Sequence, residues 1–210
     1  MPSADEPSPD PARDDGEPVL VSACLLGCNC RYNAEVRSNS GIVRARGERP
    51  ERWIPVCPEA SLGTPRPPAD LIFVTAEDGS SEGRLAEGAD VLDGRARVLT
   101  RDGVDVTEAF VKGAEEALRL AKASGARRAV LKSRSPSCGR GELSSGDGGR
   151  RPGNGIAAEL LLRHGIEVES ADFTAGESTA SKNTDAENTD SRNSDSRSSD
   201  SKNTDSGEKK

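Results

Sequence analysis

Residues 107–132 read TEAFVKGAEEALRLAKASGARRAVLK, and this stretch decides the fold class. Phe110, Ala114, Ala117, Leu118 and Ala121 recur at helical spacing and share one apolar face. Thr107 is the expected cap, and Gly125 ends the helix because glycine accepts the left-handed conformation that follows a last turn. The period then changes, and 129–132 reads as a short strand. Towards the C-terminus the pattern repeats: a helix over 154–164, a stop at Gly165, and a strand over 166–169. Strand, helix, strand, helix, strand over roughly the last seventy residues before the C-terminal tail implies right-handed crossovers. The expected fold is α/β, a single domain with a mostly parallel sheet flanked by helices, Rossmann-like in character.

Reading towards the N-terminus, 19–23 is a continuous apolar strand and 42–47 a weak helical stretch. A second strand covers 53–56. CPEASLGTPRPPAD follows, with Pro58, Pro65, Pro67 and Pro68 forbidding a helix, so it reads as an ordered loop. A third strand is expected over 71–75. Asp93-Gly94, centred in 90–99, is the strongest hairpin signal in the chain.

The 210 residues carry one Trp, one Tyr and three Phe, few for a core spread over the whole length. The shortage belongs to the ends. Residues 1–17 hold six acids against Arg13, and from Thr174 onward apolar side chains almost vanish. Between 18 and 173 the 22 acidic and 22 basic residues cancel, so the net charge of −7 resides in the tails. The expected organisation is a disordered acidic tail over 1–17, a domain over 18–173 and a disordered tail over 174–210. That last tail contains five imperfect pentapeptides, SKNTD, AENTD, SRNSD, SRSSD and SKNTD. Evenly spaced Asp185, Asp190, Asp195, Asp200 and Asp205 admit cation binding. A solvated extension with no apolar face is the better reading. There is no secretion signal and no apolar run of membrane-spanning length, so a cytoplasmic protein with reduced thiols is expected. A neutral domain poor in aromatics disfavours nucleic acid as a partner.

Cys24, Cys57 and Cys138 each stand just past a segment read as a strand. Ligands of open α/β sheets bind outside the carboxyl ends of the strands, so these thiols are a candidate metal-ligand set. Three thiolates leave one position of a zinc or a four-iron cluster open, where four would close it. The spacing C-x₃-C-x-C over Cys24, Cys28 and Cys30 is not that of a zinc ribbon, which uses two close pairs of the C-x₂-C kind. A cysteine is also a small hydrophobe, and for Cys24 that plain role is about as good an account.

Five blocks, in order, resemble a small bacterial family typified by thiouracil desulfurase: VSACLLGCNCRY, VCPE with TPRPPA, DVTEAFVKGAEEAL, LKSRSPSCG and PGNGIAAELL. The resemblance spans about 19–169. It implies a 4Fe–4S cluster held by Cys24, Cys57 and Cys138, an open iron that takes sulfur from a thiolated pyrimidine, and catalytic roles for Glu59 and Ser135. Cys30 matches a family cysteine that is not a ligand, and Cys28 is an addition. CRYNAE and GELSSGDGGRRPGNG depart from the family pattern, the second removing an aromatic near the site.

The implied reaction is hydrolytic. A soft sulfur bound to iron becomes a leaving group, water supplies the oxygen, and no net electron transfer is needed. Glu59 would activate water, and Ser135 would hydrogen-bond the ring or the departing sulfur. Each also has a plain structural role open to it, Glu59 as an anchor of the proline loop that accepts backbone N–H bonds and Ser135 as a turn residue before Pro136. Arg31, Tyr32, Arg66 and Lys132 are further pocket candidates. His164, in the last turn of a helix, is given no catalytic part. The alternatives are an iron–sulfur sensor or sulfur-delivery protein without catalysis, and a structural zinc module.

Overall fold

The computed structural model describes residues 16–48, 52–73, 85–145 and 148–173. The expected tails lie outside these residues, apart from Gly16 and Glu17. Four strands build the central sheet: β1 (Pro18–Ser22), β2 (Arg52–Val56), β5 (Arg128–Lys132) and β8 (Glu167–Ala171), in the order β2-β1-β5-β8. Every pairing is parallel. Central position explains the run in β1, where Val19, Leu20 and Val21 are fully buried.

Helix α1 (Ser40–Glu48) connects β1 to β2 on one side, and α4 (Ile156–Arg163) lies between β5 and β8 on the other. The chain therefore runs outward in opposite directions from the β1–β5 pair. That makes the carboxyl ends of β1 and β5 a topological switch point, where open sheets leave a crevice.

Between β2 and β5 the chain makes an excursion. Strands β3 (Ala69–Phe73) and β4 (Ala96–Thr100) pair antiparallel, with α2 (Gly88–Leu92) between them, and α3 (Thr107–Ser124) returns to the main sheet. All five apolar residues expected on one face of α3 are buried. The helix belongs to two clusters at once. Ala117, Leu118 and Ala121 pack under the parallel sheet with Leu20, Leu131 and Leu161, whereas Phe110 and Ala114 pack with Leu71, Val98 and Ile156. One helix thus ties the β3–β4 excursion to the main core.

Three expectations need correction. The hairpin over 90–99 is instead α2, a turn and β4. The Glu87 N–H donates to Asp90 Oδ2 at 3.1 Å, a capping interaction that starts the helix, and Gly94 at φ 76° ends it. The partner of β4 is β3, far earlier in the chain. Thr107 is a helical residue rather than the cap: its N–H donates to Asp105 Oδ1, and its Oγ1 accepts from the Val98 N–H. Helix α4 begins at Ile156 rather than 154, since the Asn154 side chain accepts the Gly141 N–H at 2.8 Å. A short hairpin of β6 (Glu142–Ser144) and β7 (Arg150–Pro152) had no expectation. Among the described residues no helix is long and apolar enough to cross a membrane.

Candidate active site

The carboxyl ends of β1, β2 and β5 open into a cavity of about 660 Å³, and Cys24, Cys57 and Cys138 all line it. Cys24 sits in a single 3-10 turn directly after β1. Cys57 follows β2, and its neighbour Pro58 is pressed against α3: a Cβ on Gly113 would lie 1.7 Å from the Pro58 carbonyl oxygen. Cys138 is buried at the end of a tight loop. The first amides of α4 are committed to that loop, Ile156 N–H to the Pro136 carbonyl and Ala157 N–H to the Ser137 carbonyl. A Cβ on Gly155 would come within 2.5 Å of Ser137, so glycine is required for this approach. The Cys57 and Cys138 turns are therefore each held by a packed neighbour, not by their own loops alone.

Cys30 also lines the cavity, whereas the exposed Cys28 is not among its lining residues. Cys57 Sγ donates to the Cys30 carbonyl at 3.9 Å. The Cys24 thiol contributes most to raising the Cys30 thiol to about 11, against an opposing effect from Cys57. Burial pushes Cys138 up to about 12, partly offset by a hydrogen bond from Ser22. Cys57 is raised as well, first by its bond to Cys30 and then by burial. Crowded and buried thiols resist ionising because each thiolate lacks a counter-charge. A bound metal centre supplies that charge, and binding then releases protons. The donor set has this chemistry. It is not drawn together for a single ion: among the described residues no three His, Cys, Asp or Glu groups close on one metal position. Tetrahedral zinc would bring its sulfurs to about 3.8 Å from one another.

Glu59 and Ser135 meet on the same wall. Ser135 Oγ accepts the Ser137 and Cys138 N–H groups, each at 3.1 Å, and donates its own proton to Glu59 Oε1 at 3.2 Å. The other carboxylate oxygen takes Arg66 Nη2 at 2.7 Å and Nε at 3.2 Å. Ser135 thus has its expected plain role as a turn residue, whereas Glu59 is tied to the proline loop through the Arg66 side chain and not through a backbone N–H. The two are also joined to each other beside Cys138.

The far rim is closed by the end of β8. Asp172 pairs with Lys132 at 2.9 Å and with Arg134, and Lys132 and Arg31 each lie 4.8 Å from the Phe173 ring centroid. Burial raises the Asp172 carboxyl. That influence is outweighed by Lys132 together with the Phe173 N–H and the Ser133 hydroxyl, which hold the group well below the usual carboxylate range. Arg134 adopts φ 60°, uncommon for a residue other than glycine, at the turn that leads into Ser135. Tyr32, Arg31, Arg66 and Lys132 all line the cavity as expected. His164 is not among the lining residues, and its Nδ1 lies 2.9 Å from the Leu160 carbonyl. Phe173 and Asp172 were missed, since they stand at the boundary of the apolar-poor tail, where no periodicity marks them.

Residues 19–172 match the family model for 2-thiouracil desulfurase. The chain belongs to the 2-thiouracil desulfurase family. Over 156 residues this desulfurase-family chain is 37% identical to the uncharacterized protein YbbK of Bacillus subtilis (strain 168), which covers 72% of the chain and 94% of YbbK. It is also similar to a solved structure, the 4Fe-4S-dependent thiouracil desulfidase TudS. That match has 38% identity and a TM-score of 0.55, and covers 73% of this chain and 90% of TudS.

Proposed function

We propose that this protein is a 4Fe–4S-dependent desulfurase that replaces the sulfur of a thiolated pyrimidine, thiouracil or a thiouridine derivative, by the oxygen of water. The observation that carries the reading is the convergence of Cys24, Cys57 and Cys138 from three neighbouring parallel strands onto the cavity that also holds the Glu59–Ser135 pair. Family membership and the likeness to TudS support it.

Cys24, Cys57 and Cys138 would hold the cluster. When bound, it supplies an iron that takes the soft sulfur of the substrate and makes it a leaving group. The remaining steps belong to the protein. Glu59 accepts one proton from the attacking water and hands it to the departing sulfur, and the hydroxyl left on the ring carbon gives its remaining proton to the same carboxylate as C=O forms. The ring carbon exchanges C=S for C=O, one water is consumed and one sulfide is released, with no net electron transfer. Ser135 fixes the carboxylate for this task, because two backbone donors hold its oxygen and leave its proton directed at Glu59.

The test is anaerobic reconstitution, an absorption spectrum, iron and sulfide assays, and sulfide release from 2-thiouracil, 4-thiouracil and the corresponding nucleosides and nucleotides. Stoichiometric cluster with catalytic sulfide release is the expected result. An intact cluster with no release from any compound overturns the activity and leaves sulfur delivery or sensing. One tightly held zinc without iron overturns the cluster.

A further inference from the structure

Arg66 lines the cavity, yet its guanidinium is committed before any substrate arrives. Nε donates to Glu59 Oε2, and Nη2 to the same oxygen and to the Cys30 carbonyl at 3.2 Å. Nη1 donates to the Gly63 carbonyl at 2.7 Å, the Cys30 carbonyl at 3.2 Å and Thr64 Oγ1 at 3.3 Å. A guanidinium has five N–H donors in a fixed fork, and these contacts engage all three nitrogens. The side chain is 8% exposed and its partner Glu59 14% exposed, so water competes little for the pair. Its backbone is fixed as well, since the Arg66 N–H donates to the Tyr32 carbonyl at 2.8 Å.

We infer that Arg66 is the positioning residue for Glu59 and does not bind substrate. It joins three segments: the first loop at Cys30, the Cys57-Pro58-Glu59 turn, and its own proline-flanked loop at 63–66. One carboxylate oxygen is pinned by the fork, which leaves Oε1, the oxygen facing Ser135, as the one that exchanges protons. This inference rests on the proposed role of Glu59 as proton acceptor. Lysine replaces the fork only in part, because a point charge reaches Glu59 without spanning to Cys30.

The experiment uses reconstituted holoprotein in four forms, wild type, Arg66→Ala, Glu59→Gln and the double variant, with 2-thiouracil as substrate. Arg66→Ala is expected to keep its iron and lower kcat by about 10- to 100-fold through misplacement of the acceptor, with KM changed less than about threefold. Added to Glu59→Gln, the same change should cost less than about threefold more, since residues acting as one unit are not additive. Arg66→Lys should recover part of the rate, and millimolar guanidinium should partly rescue Arg66→Ala. A raised KM at unchanged kcat would make Arg66 a substrate ligand and overturn the inference. So would independent, multiplying losses, or an Arg66→Ala effect when Glu59→Gln has none. If Arg66→Ala does not fold, Arg66→Lys and Arg66→Gln carry the same four-way comparison. Failure of the function itself is seen separately, as wild-type holoprotein that releases no sulfide, and the inference then falls with it.

Discussion

The Ser135 hydroxyl donates to Glu59 Oε1 across 3.2 Å, joining side chains 76 positions apart in the chain. Ser135 lies three residues before Cys138 and Glu59 two residues after Cys57, so the link also bridges two of the candidate ligand loops. Removing either partner tests proton handling without removing a thiol. Glu59→Gln should retain the cluster spectrum and lose turnover by about a hundredfold or more, as loss of a general base does. Ser135→Ala should also keep the cluster and slow the reaction. Sulfide release by both variants at the wild-type rate would remove the pair from the mechanism.

The ligand set is tested by single serine replacements. Cys24→Ser, Cys57→Ser and Cys138→Ser should each lose the cluster, read as iron and acid-labile sulfide per chain. Cys28→Ser should leave both unchanged, since that thiol is exposed and does not line the cavity. Cys30→Ser should retain the cluster, although Cys30 lines the cavity and its carbonyl accepts from Cys57 Sγ at 3.9 Å. Iron lost from the Cys30 variant and kept in the Cys138 variant would move the site into the first loop.

Gly113→Ala probes the seat of Cys57. Its Cβ would overlap the Pro58 carbonyl oxygen, a backbone atom that cannot rotate away, so α3 or the cysteine turn must shift. A loss of about 1–3 kcal/mol is expected, the usual cost of overpacking, with a parallel loss of cluster occupancy. As a comparison, Gly103→Ala meets nothing within 4 Å but adds left-handed backbone strain at φ 79°, so it reports strain in its own turn without the clash and should leave cluster occupancy unchanged. Thermal melts of both variants, with iron assays, decide the matter.

Asp172 gives a pH signature. Its folded-state carboxyl is held below the ordinary value, so its contribution is fully present above the unfolded pKa and is lost as pH falls through the folded one. Asp172→Asn should therefore melt at a lower temperature than wild type at neutral pH. The gap should narrow in strong acid, where the wild-type carboxyl is itself protonated and its pairing with Lys132 and Arg134 is gone. A gap that is constant from neutral to strongly acidic pH would argue against the ion pairs.

A chain ending at Phe173 and starting at Pro18 should melt within a few degrees of the full-length protein. Ending it at Ser170 should cost far more, because Ala171 accepts the Ser133 N–H and Asp172 pairs with Lys132 and Arg134. A large drop in the chain running from Pro18 to Phe173 would mean that a tail docks on the domain.

The sequence by itself determined the elements whose causes are local. The apolar stripe of α3, its end at Gly125 and the strands before Cys24, Cys57 and Cys138 follow from side-chain period and from glycine. The parallel sheet followed too, because strands separated by helices can pair in few other ways. Asp93-Gly94 misled because a left-handed glycine serves a helix end as well as a hairpin. Only pairing of β4 with β3, and the Glu87–Asp90 contact, selected between them. The site divides along the same line. Cysteines after strands are visible one by one, but nothing local says that Cys30 joins them or that Phe173 closes the rim. Nor does it say that Arg66 directs its fork at Glu59. Those contacts exist because the switch between β1 and β5 brings distant loops to one edge, and chain proximity of that kind is a property of the fold alone.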